Sequence, residues 1–175
     1  SSVNGMLFVR GHPARYDEWR DSGCPGWGYD DVLPYFERLE NCAFDALPRR
    51  GVGGPVNVTR LESDIVTRAF IEACVQAGYP RAADYNLDPD GVGPLQLSTR
   101  NGLRCSTAVA YLRPAQSRQN LDVRSNALAT RILFDGRRAM GVTYRADGEL
   151  REVRARKEIL LCAGATRSPQ LLELS

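Results

Sequence analysis

The sequence contains one lysine, Lys157, and one histidine, His12. A metal site built from several histidines is therefore excluded, as is a lysine-rich basic tract. The remaining cations are arginines. Lys plus Arg number 23 against 21 Asp plus Glu, a net charge of +2. The arginines are scattered among the acids, and a nucleic-acid surface would need them clustered. No apolar run approaches the roughly 18 residues of a membrane-spanning helix. The five cysteines, Cys24, Cys42, Cys74, Cys105 and Cys162, are odd in number and no pair has CxxC spacing. That argues against a disulfide framework and for a reducing, cytoplasmic setting. Cys74 and Cys162 lie in apolar runs and are expected as small core residues. The phosphate-binding pattern GxGxxG is also missing, because Gly26-Trp27-Gly28 and Gly91-Val92-Gly93 each lack the third glycine. No internal repeat or low-complexity segment is present.

What remains is an ordinary globular composition, 43% hydrophobic and 25% charged, in a chain of 175 residues that is long enough for one sizeable core. A short helix is expected over Pro13–Asp21, with proline early and Tyr16 and Trp19 three apart. Asp30–Asn41 reads as an amphipathic helix. Val32, Tyr35, Phe36 and Leu39 share its apolar face, Asp30 and Asp31 suit its positive end, and Pro34 is early enough to be tolerated. Val56–Thr59 reads as a strand. A helix capped by Ser63 or Asp64 should reach Ala77, ended by Gly78 and Pro80. Asp84–Pro94 is a loop by its prolines, glycines and aspartates. Leu95–Thr99 alternates as a strand does. Asn101-Gly102 is a hairpin turn, and Ser106–Arg113 is a short helix stopped by Pro114.

From Leu121 the period changes to two. Leu121–Ser125, Ala129–Phe134, Ala139–Arg145 and Glu149–Ala155 are expected as strands of an antiparallel meander. Asp135-Gly136 and Asp147-Gly148 supply its turns. The last stretch has a different character. Glu158-Ile159-Leu160-Leu161-Cys162 is apolar without alternation, which suits a strand buried on both faces of a sheet. Ala163-Gly164-Ala165 follows with almost no bulk. Thr166 or Ser168 can then cap a helix with Pro169 at its first position and Leu171 and Leu172 facing inward. Strand, small-residue turn and helix start let backbone N–H groups approach an anion. Close helix–strand packing requires the same small residues, so both readings stand. The pattern as a whole predicts an α/β fold class, α+β within this stretch.

Both ends of the chain carry longer motifs. Ser1-Ser2-Val3-Asn4-Gly5-Met6-Leu7-Phe8-Val9-Arg10-Gly11-His12-Pro13, followed by Asp17, and Ala163-Gly164-Ala165-Thr166-Arg167-Ser168-Pro169-Gln170-Leu171-Leu172 resemble the two signatures of the glucose–methanol–choline (GMC) flavin oxidoreductases. The likeness is nearest to the choline dehydrogenase-like branch. It continues through Gly26-Trp27-Gly28-Tyr29, Val32-Leu33-Pro34-Tyr35-Phe36, Gly53-Gly54-Pro55, Arg100-Asn101-Gly102, Ser106-Thr107-Ala108 and Ala110-Tyr111-Leu112-Arg113-Pro114. The chain starts inside the first signature and stops before the second would close. The expectation is therefore an internal part of a longer protein.

The resemblance implies part of an FAD-binding, Rossmann-like domain with a β-meander and part of the substrate domain. Residues 1–60 would supply a flavin-contacting segment and a helical lid, 61–120 part of the substrate side, and 121–175 a meander returning to the FAD-binding sheet. Asn4, Gly5, Met6 and, less directly, Leu7 would lie along the flavin ring. On their own chemistry, Asn4 would cap a turn and Gly5 would supply a special φ. Ala129 would hold the adenine end through its backbone, and Ala163 and Gly164 would leave room for the cofactor. Some relatives attach FAD through a histidine at the position of Val3, so this cofactor should be non-covalent.

Arg104, Ser106 and Thr107 match a family motif, yet turn and helix capping would explain them equally. Asp84-Tyr85-Asn86 is family-like in the same ambiguous way. The family's catalytic histidine has no counterpart here, since His12 sits in another motif. No catalytic residue and no metal ligand are therefore assigned, and this chain alone is expected to be inactive. The complete protein is expected to oxidise a choline-like or other small primary alcohol to an aldehyde. Oxygen, a quinone or another acceptor would take the electrons. Neither nucleic acid nor a transmembrane segment is expected, and attachment at the inner-membrane periphery stays open. An oxidase or lyase of the same family, or a non-catalytic binding module, are the alternatives.

Overall fold

The computed structural model describes residues 3–42, 44 and 48–175. It is a mixed α/β structure in two compact units, Asn4–Ser117 and Arg118–Ser175, the latter with Val3.

The first unit begins with α1 (Pro13–Asp21) and α2 (Tyr29–Leu39). His12 caps α1, its Nδ1 accepting from the Ala14 N–H at 3.1 Å. Asp31 reaches back to the Gly28 N–H at 3.0 Å, closing the first turn of α2. The predicted apolar face of α2 is real, but Val32, Tyr35, Phe36 and Leu39 line an open cleft with Tyr16, Trp19 and Trp27. Leu33 is the residue of this helix that is buried.

A four-stranded sheet follows, in the order β1 (Glu40–Cys42), β2 (Val56–Arg60), β3 (Gln96–Arg100), β4 (Leu103–Arg104). The β1–β2 pair is parallel and the others antiparallel. Val58 lies at the centre, fully buried. Such a side chain contributes about 1.5–3 kcal/mol. The β3–β4 turn has positive φ at both Asn101 (51°) and Gly102 (73°), as a two-residue type I′ turn requires. Between β2 and β3 runs α3 (Ile65–Gln76), capped by Asp64, whose carboxylate accepts from the Thr67 N–H at 2.7 Å.

Ser106–Arg113 departs from expectation. A π-helical turn covers Ala108–Leu112 and passes into an α-helical turn over Arg113–Ala115. Pro114 therefore sits at the start of that last turn, where its missing N–H costs nothing, and does not end the helix.

The second unit holds the antiparallel meander β5 (Leu128–Asp135), β6 (Arg138–Ala146) and β7 (Glu149–Arg154). Asp147 (52°) and Gly148 (82°) both have positive φ, another type I′ turn. The other turn is shifted by one residue. Asp135 pairs with Arg138, so the loop is Gly136-Arg137, with positive φ only at the glycine. Ile132 and Tyr144 are the buried hydrophobic residues of the meander. α4 (Gly164–Glu173) packs against β5, its Leu171 is buried, and the Ile132 N–H donates to Ser175 Oγ at 2.8 Å.

Four further expectations fail in this unit. Leu121–Ser125 is not a strand, and all five residues are exposed. Glu158–Cys162 is not a strand either. A doubly buried strand is defined by its neighbours, and none of the seven strands pairs with this stretch. Leu160 is accordingly 78% exposed. Cys162 is exposed as well, whereas Cys42 and Cys105 are the buried cysteines; none of the five is in a disulfide. Finally, α4 starts at Gly164, so Pro169 lies inside it. Gly164 (φ 90°) makes the entry that Thr166 or Ser168 was expected to make. Among the described residues no helix is long and apolar enough to cross a membrane, and no acidic, histidine or cysteine cluster could hold a metal.

Candidate functional site

The N-terminal segment is laid along β3. The Phe8 N–H donates to Gln96 O at 2.9 Å, the Ser98 N–H donates to Met6 O at 2.8 Å, and Leu7 bridges to Leu97. Before that run comes a turn. Asn4 Oδ1 accepts from the Met6 N–H at 2.9 Å, and Met6 has φ 64°. Asn4 thus caps a turn as expected, but the special φ belongs to Met6 and not to Gly5. A Cβ built on Gly5 meets nothing within 4 Å. The segment's outer surface is open, with Asn4, Gly5 and Leu7 exposed.

Arg104 grips the turn from β4. Its Nη1 donates to Asn4 Oδ1 at 2.7 Å and its Nη2 donates to Asn4 O at 3.0 Å. Ser106, by contrast, caps the π-helical turn, accepting from the Val109 N–H at 3.4 Å.

Beneath the segment lies a buried polar network. Arg10 Nε donates to Glu40 Oε1 at 2.6 Å, and Arg50 Nε donates to Glu40 Oε2 at 2.8 Å. Arg50 Nη1 also donates to Asp84 Oδ2 (2.6 Å) and Gln96 Oε1 (2.9 Å). Gln96 Nε2 donates to Asp84 Oδ1 at 2.7 Å. Asn86 accepts from the Arg10 N–H at 2.7 Å and donates to Gln96 Oε1 at 2.9 Å. Two arginines and two carboxylates balance, which is what allows four charges inside a fold. Tyr85 donates to Phe8 O at 2.9 Å. Burial raises its phenol above the ordinary value, an effect the Gln96 backbone hydrogen bond opposes, so it remains a donor. Asp84-Tyr85-Asn86 is therefore a structural post under the N-terminal segment. Sequence reading missed this network. Its one local signal was Gln96 between Leu95 and Leu97.

The expected site residues divide between the units. Asn4, Gly5, Met6 and Leu7 form the open segment of the first. In the second, Ala129 lies on β5 and lines a cavity of about 370 Å³ with Asp122, Arg124, Ala127, Val142, Tyr144 and Val153. The Arg124 guanidinium lies 5.9 Å from the Tyr144 ring centroid. Ala163 and Gly164 form the start of α4, which has no side-chain cap and no acidic residue in its first turn. A larger cavity of about 1050 Å³, beside α3, is lined by none of these residues.

Comparison with known proteins decides the family. The profile of the GMC oxidoreductase family matches residues 1–175. The chain belongs to the GMC oxidoreductase family. GMC relatives include an oxygen-dependent choline dehydrogenase of Photobacterium profundum, 44% identical over 179 residues, covering 100% of this chain and 32% of that protein. An uncharacterised GMC-type oxidoreductase of Mycobacterium tuberculosis is 46% identical over 180 residues, covering 100% of this chain and 34% of that protein. Among solved structures, pyridoxine 4-oxidase from Mesorbium loti superposes with a TM-score of 0.83 at 32% identity, covering 97% of this chain and 34% of that one. An FAD-dependent oxidoreductase from Chaetomium thermophilum gives 0.83 at 28% identity, covering 99% and 33%. The chain thus spans about a third of the length of the curated relatives it matches. The GMC family is an FAD-binding one.

Proposed function

We propose that the complete protein is an FAD-dependent oxidoreductase that converts an alcohol to an aldehyde, with a choline-like small primary alcohol as first substrate. The observation that carries this is the 44% identity to a choline dehydrogenase across the whole chain. Residues 1–60 would supply the flavin-contacting segment and a helical lid, 61–120 part of the substrate side, and 121–175 the meander that returns to the FAD-binding sheet. The setting would be cytoplasmic, with oxygen, a quinone or another acceptor as electron sink.

The residues present fit the cofactor. The Asn4–Leu7 segment offers main-chain polar groups on an open surface, where a flat ring system can lie. Ala129 borders a cavity walled by the Tyr144 ring, and a small residue there admits an adenine to the backbone of β5. The helix start at Ala163-Gly164 presents N–H groups that no side chain of its own occupies. Bound FAD would supply the redox chemistry, taking a hydride from the alcohol carbon. Asn4, Gly5, Met6 and Leu7 would orient the ring, Ala129 the adenine end, and Ala163 and Gly164 would leave the cofactor room.

No catalytic base is assigned within these residues. The Nδ1 of His12 is committed to capping α1, and its Nε2 lies 3.6 Å from Asp90 Oδ1. Val3 offers only an alkyl group, so attachment would be non-covalent. The protein expressed from its complete reading frame should release yellow flavin on acid precipitation and reduce dye with choline or another primary alcohol. Flavin retained in the pellet contradicts the non-covalent assignment, and a colourless folded protein contradicts the function. The similarity to pyridoxine 4-oxidase favours an oxidase as second reading. Oxygen consumption in the absence of dye distinguishes the two.

A further inference from the structure

We propose that Arg104 is a positioning residue that locks the Asn4–Met6 turn into the shape the flavin is held against. The inference rests on the reading that Asn4–Leu7 contact the flavin, and it goes beyond it by assigning what fixes that segment.

The turn needs an external hold. Met6 sits at φ 64°, a conformation that a residue with a Cβ rarely adopts. Packing around Asn4 and Gly5 does not impose it, because a Cβ built on Gly5 would meet nothing within 4 Å and both residues are exposed. Among the described residues the backbone pairing to β3 begins at Met6 O, and Asn4 and Gly5 precede it. The turn is tied down by hydrogen bonds.

Arg104 supplies two of them from 100 positions away in sequence. Its fork takes both the side-chain and the main-chain oxygen of one residue, which fixes the orientation of Asn4 as well as its distance. The same Asn4 Oδ1 accepts from the Met6 N–H, so the guanidinium and the turn share an acceptor. The base of the clamp is itself stiff. Arg104 pairs with Thr99 across the Asn101-Gly102 hairpin. No carboxylate of the described residues forms an ion pair with Arg104, so its donors are not drawn elsewhere. A lysine would bring the charge to the same place but only as a point, without the two-pronged geometry.

The test uses the flavin-loaded protein expressed from its complete reading frame, with Arg104→Gln, Arg104→Lys, Asn4→Ala, Gly5→Val and the Arg104→Gln/Asn4→Ala double variant. Three quantities are read: the FAD Kd of the apoprotein, the visible circular dichroism of the bound flavin, and the Tm of the apoprotein. Arg104→Gln should raise the FAD Kd about tenfold or more and flatten the flavin dichroism, with the apoprotein Tm held. Arg104→Lys should not restore the signal, and the double variant should be no worse than the Asn4→Ala single one. Wild-type Kd and dichroism in Arg104→Gln, with flavin lost in Gly5→Val, overturn the positioning role and leave the flavin contact standing. Wild-type flavin binding in both Asn4→Ala and Gly5→Val removes the contact itself, and the inference with it. Full rescue by lysine assigns the effect to charge and overturns the fork. A lowered apoprotein Tm in both Arg104 variants assigns the residue to the fold and overturns it too.

Discussion

Arg10 and Glu40 share a 2.6 Å hydrogen-bonded ion pair with both side chains wholly withdrawn from water. Glu40 also serves Arg50, so one carboxylate anchors two buried cations. Two nitrogens of Arg10, Nη1 and Nη2, are buried with no hydrogen-bond partner among the described residues. The pair is therefore asymmetric in what its loss would do. Glu40→Ala strands the Arg10 guanidinium and leaves Arg50 with Asp84 as its anionic partner, and it is expected to cost roughly 3–5 kcal/mol. Arg10→Met leaves Glu40 bonded to Arg50, removes the orphaned donors and should cost less than half as much. Urea unfolding of both variants measures the difference, and equal losses would contradict the anchoring role of Glu40.

Two glycines should behave in opposite ways. A Cβ on Gly51 would come within 1.8 Å of Glu37 O, a backbone atom that cannot step aside. Gly51→Ala is expected to destabilise the protein by about 3 kcal/mol, the upper part of the range for overpacked core sites. Gly5 has open space, so Gly5→Val should fold with an unchanged apoprotein Tm and yet purify largely colourless. Thermal melts and flavin absorbance separate the two effects. Gly5→Val retaining full flavin would refute the proposed contact.

Asp64 gives α3 a pH dependence. The backbone N–H of Thr67 holds its carboxyl below the ordinary value of 3.8. A depressed folded value means the cap stabilises above the unfolded value and is lost as pH falls through the folded one. Asp64→Ala should therefore lower the Tm at neutral pH, and the gap to the unaltered protein should narrow in acid. A gap that stays constant to the lowest pH reached would assign the loss to something other than the charged cap.

Expressed alone, the 175-residue chain is expected to bind FAD poorly, to show no alcohol-dependent dye reduction and to self-associate. Leu160 is 78% exposed in a stretch that no strand pairs. Sedimentation, flavin content and turnover test this together. A monomer with stoichiometric flavin that oxidises an alcohol would overturn it.

Much of the fold was legible because its signals are local. Asp147-Gly148 and Asn101-Gly102 fix their turns within two residues, and Asp64 with Gly78 brackets α3 almost to the residue. Where neighbours decide, the sequence misled. Glu158–Cys162 has a buried strand's composition, but a strand exists only by pairing. Pro169 looked like a helix start because it could not reveal that Gly164 already turns the chain. The clamp was hidden for the same reason. Asn4 and Arg104 each sat in a recognisable motif, and nothing in either motif named the other. The polar network was the least legible part, since its members run from Arg10 to Gln96 and each one alone resembles a surface residue.

That span also sets a schedule for synthesis. A chain emerging from its amino end brings out Arg10 first, then Glu40, Arg50 and Asp84, with Gln96 last. At about 5–20 residues per second, Arg10 waits roughly 4–17 s before Gln96, the last member of the network, is translated. During that interval the early-made arginines and Glu40 should stay hydrated, because burying them before Asp84 arrives would leave a charge unmatched, and before Gln96 arrives would leave hydrogen-bonding groups unpaired. The first unit should therefore close late and in one step, once β3 has cleared the ribosome.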